Sequence, residues 1–144
     1  MNLFLGIAIM VLCLFLEALL VIAVIRYYGR QQHMIRSPSL LSSVVVIMVV
    51  MLLLVIGNFA QVAIWALAFR LLGEFQTYEE AIYHSAVNFA TLGYGDIVMS
   101  EARRILGPIE AINGALMIGV STAVLMTAFQ DAIRKTAAAR GTSF

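Results

Sequence analysis

Apolar residues fall into three long runs along the chain, and short polar segments separate them. The first run, Leu3 to Ile25, contains a single charged residue, Glu17. The second extends from Leu40 to about Leu72, and the third from Ile105 to Phe129. About 20 consecutive apolar residues are enough to cross a bilayer as a helix. No Lys or Arg precedes the first run, which is also too long for a signal peptide, so all three runs predict transmembrane helices.

The second run is longer than one crossing requires. Its 33 residues would form a helix of about 50 Å, whereas the hydrocarbon core is about 30 Å thick. We therefore expect this helix to tilt or to end among the lipid headgroups. Trp65 and Arg70, near its end, are residue types that suit that interface.

A short element lies between the second and third runs. Thr77 and Glu80 fit the capping box T-x-x-E at the start of a helix. The helical stretch 77–90 has only about 14 residues, which is too short to cross a bilayer and suits a re-entrant half-helix. The sequence TLGYGD, residues 91–96, follows directly. Irregular backbone at membrane depth is tolerated only where it is buried in protein or lines a water-filled cavity.

The glycines of this motif suggest what such a cavity would do. Glycine reaches positive φ without steric cost, so the run Thr-Leu-Gly-Tyr-Gly can turn successive carbonyls to one side. Several copies around an axis would form rings of oxygen that replace the hydration shell of a monovalent cation. The half-helix would point the negative end of its dipole toward the motif, which also favours a cation. One copy cannot enclose an ion, so we expect several chains.

Composition supports a membrane protein and argues against other classes. Of the 144 residues, 62% are hydrophobic and 12% are charged, whereas soluble domains are about half apolar and a quarter charged. The net charge of +1 gives no case for nucleic-acid binding. The single Cys13 cannot form an internal disulfide or a metal site by itself. We find no nucleophile–base pair and no phosphate-cradling loop, so we predict neither an enzyme nor an organic cofactor.

Basic residues indicate the orientation in the membrane. Both the loop 31–39 with its flanking arginines and the tail 131–144 have an excess of Lys and Arg, so we assign them to the cytoplasm. The N-terminus then lies outside and the C-terminus inside. Pro38 suits the start of the second helix, and Ser37 or Ser39 could cap it.

The motif also carries a family resemblance. TLGYGD resembles the potassium-channel signature, with Leu92 where Val is commoner, and LGPIEAINGALMIGVSTAVL resembles the inner helices of small bacterial members. The resemblance implies an all-α membrane protein with three transmembrane helices per chain, a re-entrant pore helix and filter, and a tetrameric pore. The helix at 1–30 is an addition to the two-transmembrane pore module. That module would occupy 40–130, with outer helix 40–72, pore helix 77–90, filter 91–96 and inner helix 105–130.

The resemblance further implies a homotetrameric, potassium-selective channel in a bacterial-type inner membrane, with membrane lipid as its other partner. K⁺ would pass through sites formed by the carbonyls of four residues and the Thr91 hydroxyl. The Tyr94 ring would pack outward as a strut, and Asp96 would brace the filter at its outer mouth. The filter residues are Thr91, Leu92, Gly93, Tyr94 and Gly95, and the first four would coordinate K⁺.

Two positions depart from the family pattern. Ala90 stands where a second threonine often precedes the filter threonine. Val87 stands where some members place a Glu that bonds the filter aspartate. We expect the support of the filter to differ, so a non-selective cation channel is one alternative. A non-conducting membrane scaffold or accessory subunit is another. A transporter subunit would carry internal repeats of the pore unit, whereas this chain has one copy.

Several residues of the spans permit two interpretations each. Gly114 and Gly119 are either a gating hinge or places where helices pack closely. Glu110 either tunes the electrostatics behind the filter or bonds the pore helix, for example at Asn88 or His84. Glu17 is either a proton-sensitive or inter-helix contact, or it makes one buried hydrogen bond to Asn58, Gln61 or a neighbouring subunit.

Two further residues are ambiguous in the same way. Asp131 would place a ring of four carboxylates at the cytoplasmic mouth of a tetramer, or it is a solvated residue of the last turn. His84 is either a pH sensor or a packing residue with its hydrogen bonds satisfied.

Overall fold

A computed structural model describes residues 2–35 and 40–139, which contain helices and no strand. The helices are α1 (Asn2–Arg30), α2 (Gln32–Ile35), α3 (Leu40–Leu71), α4 (Tyr78–Phe89) and α5 (Leu106–Ala139). Three of them, α1, α3 and α5, are long and apolar enough to span a membrane. The prediction of an all-α, multi-pass membrane protein is therefore confirmed.

Helix α3 ends in a Schellman motif that explains its sharp stop. Gly73 has φ of +76°, and its N–H donates to the Arg70 carbonyl at 3.0 Å. The N–H of Glu74 donates to the Phe69 carbonyl at 3.1 Å. These two bonds satisfy carbonyls that the helix end would otherwise leave unpaired. Glycine takes this left-handed conformation without strain.

Helix α5 is longer than the predicted inner helix 105–130. It begins at Leu106 with Pro108 in its first turn, where a missing N–H costs nothing because it has no partner within the helix. It then continues to Ala139 through the region predicted as a separate tail, 131–144. Lys135 pairs with Asp131 one turn earlier, and three consecutive alanines follow, the residue with the highest helix propensity.

The predicted loop 31–39 is partly helical. The single turn α2 carries Ile35, which is fully buried against Val46 and Ala132. Burial of this apolar side chain favours an ordered turn over an open loop. The predicted caps and proline start of the second helix, at Ser37, Pro38 and Ser39, lie outside the described residues.

The chain divides into two compact units. Unit 1 comprises Met1–Glu17 and Gly57–Ile118. Its core contains Trp65 and Phe69, both fully buried, with ring centroids 5.7 Å apart. Trp65, a residue type that suits the membrane interface, is enclosed in this aromatic cluster with Cys13, and its depth in the membrane stays a prediction.

Unit 2 comprises Ala18–Ile56 and Gly119–Phe144. It is held mainly by aliphatic packing, and Val24, Val50 and Leu54 form one of its buried clusters. A buried hydrogen bond joins the hydroxyls of Ser43 and Thr136 at 2.8 Å. The residues of the predicted filter all belong to unit 1.

Candidate functional site

Helix α4 is fixed at its start by a reciprocal pair of hydrogen bonds. The N–H of Glu80 donates to the Thr77 hydroxyl at 3.2 Å, and the N–H of Thr77 donates to the Glu80 carboxylate at 3.4 Å. The predicted capping box is therefore confirmed. It satisfies two N–H groups of the first turn and sets the direction of a helix of only 12 residues.

Two backbone hydrogen bonds fix the chain where it leaves α4. The N–H of Thr91 donates to the Asn88 carbonyl at 2.8 Å, and the N–H of Leu92 donates to the Val87 carbonyl at 2.9 Å. Both bonds lead back into the last turn of α4, so the segment 91–96 begins in a fixed position directly beyond the helix end.

Every second residue of this segment has a left-handed backbone. The φ angles are +59° at Thr91, +58° at Gly93 and +75° at Gly95. A residue branched at Cβ, such as Thr91, is a genuine outlier there, at a cost of roughly 1–3 kcal/mol. A Cβ added at Gly93 or Gly95 would meet no atom within 4 Å. The backbone conformation, not lack of space, therefore requires glycine at these positions.

The carbonyls of the segment are open. Within the described part of the chain, the carbonyl oxygens of residues 91–95 accept no hydrogen bond. The side chains are exposed as well, with Leu92 at 54% and Tyr94 at 65% of full exposure. Backbone carbonyls shielded from water are almost always paired. This segment therefore either faces water or is completed by groups from outside the single chain.

A tyrosine of α4 holds the far end of the segment. The Tyr83 hydroxyl donates to Oδ2 of Asp96 at 2.6 Å. This bond lowers the pKa of Asp96 below its ordinary value and raises that of Tyr83. Tyr83 was not predicted from the sequence, because a contact between residues 13 positions apart leaves no mark in helical spacing. The structure thus supplies a bond to Asp96 from a residue other than Val87.

His84, the next residue of α4, makes a second attachment. Its Nδ1 lies 2.9 Å from the Ile97 carbonyl, which can only accept, so Nδ1 carries the proton. Its Nε2 then accepts from the Asn88 amide at 2.8 Å. Burial against the rings of Phe69 and Phe75 lowers the pKa of His84. His84 is thus a neutral residue with both ring nitrogens bonded, which matches the packing interpretation.

An ion pair closes the polar region beyond α3. Glu74 accepts from Arg103 Nη1 at 2.7 Å, and from the Ser100 N–H and hydroxyl at 2.7 and 2.9 Å. Burial by itself would raise the pKa of Glu74, but these bonds outweigh it, so the pKa lies below its ordinary value. The same Arg103 nitrogen donates to the Leu72 carbonyl at 2.9 Å. The end of α3 is thereby tied to the chain that enters α5.

Helix α5 packs tightly behind α4. A Cβ added at Gly114 would lie 2.0 Å from the Phe89 carbonyl oxygen, so only glycine fits there. The Ser85 hydroxyl of α4 donates to Glu110, which is fully buried. Gly114 is therefore a site of close helix packing, and Glu110 makes the structural bond to α4 that was one of its two interpretations. Its partner is Ser85, which sequence analysis had not proposed.

Comparison with known families decides the class of protein. A family model described as an ion channel matches residues 54–131, more than half of the chain. The chain belongs to this ion channel family. Neither the curated proteins nor the solved structures that were compared gave a match. The matched region contains α4, the segment 91–96 and most of α5, and the predicted resemblance to a two-transmembrane pore module is confirmed.

In this ion channel, α1 lies before the matched region but is bonded to it. Gln61 of α3 donates its amide to Glu17 of α1 at 2.8 Å, with both side chains buried. The buried hydrogen bond predicted for Glu17 is therefore present. Gln61 in turn accepts from the Asn113 amide of α5 at 3.4 Å.

The remaining candidate residues of the channel are scattered. Val87 is buried on α4, and Ala90 is exposed at its C-cap. A Cβ added at Gly119 would meet nothing within 4 Å, so close packing against the described part of its own chain does not explain this glycine. Asp131 lies in unit 2 and accepts from the Tyr28 hydroxyl at 2.9 Å as well as pairing with Lys135.

Proposed function

We propose that this ion channel is selective for K⁺ and conducts it passively through segment 91–96. The observation that carries the proposal is the left-handed backbone at Thr91, Gly93 and Gly95, combined with carbonyls that have no partner among the described residues. Because residues with positive φ alternate with residues without it, successive carbonyls can face one side. A stack of carbonyl rings that replaces the hydration shell is how K⁺ filters are built.

The electrostatics of the segment also favour a cation. Helix α4 ends at Phe89, directly before the segment, so the negative end of its dipole is adjacent to the proposed ion path. Asp96 stands at the other end with its pKa lowered, and is therefore ionised at neutral pH. A K⁺ ion between these two features meets partial negative charge from both ends and from the carbonyls between them.

One copy of the segment cannot enclose an ion, and we propose a homotetramer. The Thr91, Leu92, Gly93 and Tyr94 carbonyls of four chains, with the Thr91 hydroxyl, would coordinate K⁺, and Gly95 would complete each strand. We further propose a bacterial-type inner membrane, with the N-terminus outside and the C-terminus in the cytoplasm. That orientation follows from the basic residues of the first loop and the tail. Gly119 remains a proposed hinge.

The test is uptake of ⁸⁶Rb⁺, as a K⁺ substitute, into liposomes that contain the purified full chain. We expect uptake that external Ba²⁺ blocks and that excess Na⁺ does not replace. Gly93→Ala should reduce uptake to less than about a tenth, because alanine is strained at φ of +58°. Gly29→Ala is the matched control, because a Cβ at Gly29 meets nothing within 4 Å and its φ is not positive.

Other outcomes would select the alternatives. Equal passage of Na⁺ and Rb⁺ would overturn K⁺ selectivity and favour a non-selective cation channel, in which Val87 and Ala90 leave the filter loosely braced. No uptake at any pH or voltage, from protein shown to be assembled, would favour a non-conducting scaffold. Uptake that Gly93→Ala and Gly29→Ala change equally would mean that segment 91–96 is not the ion path.

A further inference from the structure

Helix α1 contacts α5 and the chain segment that leads into it. The Asn2 amide donates to the Ala102 carbonyl at 2.6 Å. One turn further on, a Cβ added at Gly6 would lie 2.7 Å from the end of the Ile109 side chain. Glycine therefore permits this approach between α1 and α5 without repacking, whereas a larger residue would require the Ile109 side chain to shift. Cys13, two turns later, is fully buried in the core of unit 1.

Glu17 extends this attachment into a buried polar chain. Its carboxylate accepts from Gln61, whose own carbonyl oxygen accepts from Asn113. The exposed fractions of these three side chains are 3%, 2% and 0%. Buried polar groups of this kind are costly to separate, because each would lose its partner away from water. One hydrogen-bonded chain thus joins α1, α3 and α5.

The same two helices hold α4. The Ser85 hydroxyl of α4 lies 2.8 Å from the carbonyl oxygen of Val62 and also within hydrogen-bond distance of Glu110, so its single proton is shared between these two acceptors. Val62 is the neighbour of Gln61 on α3, and Glu110 lies one turn before Asn113 on α5. Residues three apart on a helix share a face. The bonds that position α4 therefore lie directly beside those that α1 makes, on the same two helices.

We propose that α1 positions the filter of this channel, with Glu17 as a positioning residue that acts through Gln61 and Asn113 on the two helices that hold Ser85. Filter here means segment 91–96, so the effect on conduction rests on the proposed function. Removing Glu17 leaves the buried Gln61 amide without this acceptor, so the Gln61 side chain has to rearrange and its bond with Asn113, which joins α3 to α5, is disturbed. The bonds of Ser85 then weaken, and α4 and the segment that follows it lose their fixed position.

Hydrogen–deuterium exchange of the full chain in lipid nanodiscs tests this positioning without reference to ion flow. Glu17→Leu should speed exchange of the amides of residues 78–92 by roughly five- to tenfold, the effect of losing a buried hydrogen bond. Glu17→Gln should restore the wild-type rate, because its carbonyl oxygen still accepts from Gln61. Phe15→Leu is the matched control, because it places leucine on the same helix at a side chain that is 60% exposed.

Ser85→Ala provides a second, smaller change within α4 itself. It should produce the same faster exchange. In the double variant with Glu17→Leu, the increase should be smaller than the two single effects combined, because both changes release the same helix. Unchanged exchange at 78–92 in Glu17→Leu, with faster exchange confined to α1, would overturn the proposal. Fully additive effects would also overturn it, because the cluster would not then act as one unit.

Ion flux supplies the second measurement. Glu17→Leu should lower the K⁺-to-Na⁺ permeability ratio while the size of the assembled complex stays the same, and Glu17→Gln should recover the ratio. A wild-type protein that shows no K⁺ selectivity would count against the proposed function alone, because the exchange measurement still decides whether α1 positions α4. A selective wild type with an unaltered ratio in Glu17→Leu would count against the positioning role alone.

Discussion

The Tyr83 hydroxyl lies 2.6 Å from Oδ2 of Asp96 and joins helix α4 to the end of the segment that follows it. One residue further along α4, His84 bonds the Ile97 carbonyl. Segment 91–96 is thus held at its start by the last turn of α4 and at its end by two adjacent side chains of the same helix. Between these fixed ends its carbonyls are open.

Removing the Tyr83 hydroxyl should loosen this segment. In Tyr83→Phe, we expect Asp96 to move more freely and steady ⁸⁶Rb⁺ uptake to fall roughly two- to tenfold, the usual range for one lost hydrogen bond. The measurement is the liposome uptake described above. Tyr78→Phe is the control, because it removes a hydroxyl of the same helix that bonds the distant Ala63 carbonyl. Equal losses in both variants would show that the Asp96 contact has no special effect.

Gly114 and Gly119 of α5 should respond differently to alanine. Gly114→Ala places a methyl group 2.0 Å from a backbone oxygen of Phe89, and overpacking of this kind costs about 1–3 kcal/mol or more. Gly119→Ala has open space around it and should be neutral, or stabilising by up to about 1 kcal/mol, because alanine favours the helix. Thermal unfolding in detergent micelles measures both. A similar midpoint for the two variants would contradict the close packing of α5 on α4.

The ion pair of Glu74 should contribute measurably to stability. Glu74→Gln cannot accept from Arg103 and Ser100 as a carboxylate does, and we expect a loss of about 1–3 kcal/mol, since hydrogen bonds to charged groups are the strong ones. Glu79→Gln removes the same charge from an exposed position of α4 and serves as the control. The comparison is made by thermal unfolding at pH 7. A loss shared by both variants would indicate a general effect of net charge.

The lowered pKa of His84 predicts a specific pH dependence. Burial favours the neutral ring, so between the folded pKa and the ordinary value of 6.5 the unfolded chain binds more protons than the folded one. The contribution of His84 is therefore complete above about pH 6.5 and is lost as the pH falls through the folded pKa. Neighbouring Asp96 and Glu74 oppose the effect of burial without outweighing it.

This dependence can be separated from that of the carboxylates. The unfolding midpoint of the wild type should fall between pH 7 and 5.5, and the fall should shrink in His84→Gln, which keeps an amide donor for Ile97. His33→Gln, at an exposed position of α2, should behave like the wild type. Asp96 and Glu74 have lowered pKa values, so their contribution is lost only below their ordinary values of 3.8 and 4.5. An identical slope in His84→Gln would exclude His84 as the source.

Structural features that depend on a single helix could be predicted from the sequence. The three apolar runs predict the spans because length and hydrophobicity alone decide whether a helix can cross a bilayer. The capping box is equally local, since Thr77 and Glu80 are three residues apart. The end of α5 was missed for a related reason. A change in polarity at Asp131 suggested a boundary, but helix propensity and the pair with Lys135 continue the helix beyond it.

Contacts between helices could not be predicted from the sequence. Gly114 and Gly119 look alike in sequence, and only the position of the Phe89 backbone separates them. Glu110 was expected to bond α4, but Ser85 as its hydrogen-bond donor was not predicted, because that contact depends on how α5 rotates about its axis. Trp65 is a residue type typical of membrane interfaces, yet the neighbouring aromatic side chains enclose it. In each case the packing of a second helix decides the outcome.

The open carbonyls of segment 91–96 have a genetic consequence. In the proposed tetramer, no single subunit forms a complete ion path, because each contributes one filter strand to the shared pore. A subunit that folds and assembles but has a distorted filter strand, as we expect for Gly93→Ala, would then impair ion conduction in every complex that contains it. Co-expressed with the wild type, such a variant should be dominant, whereas a variant that fails to assemble should be silent.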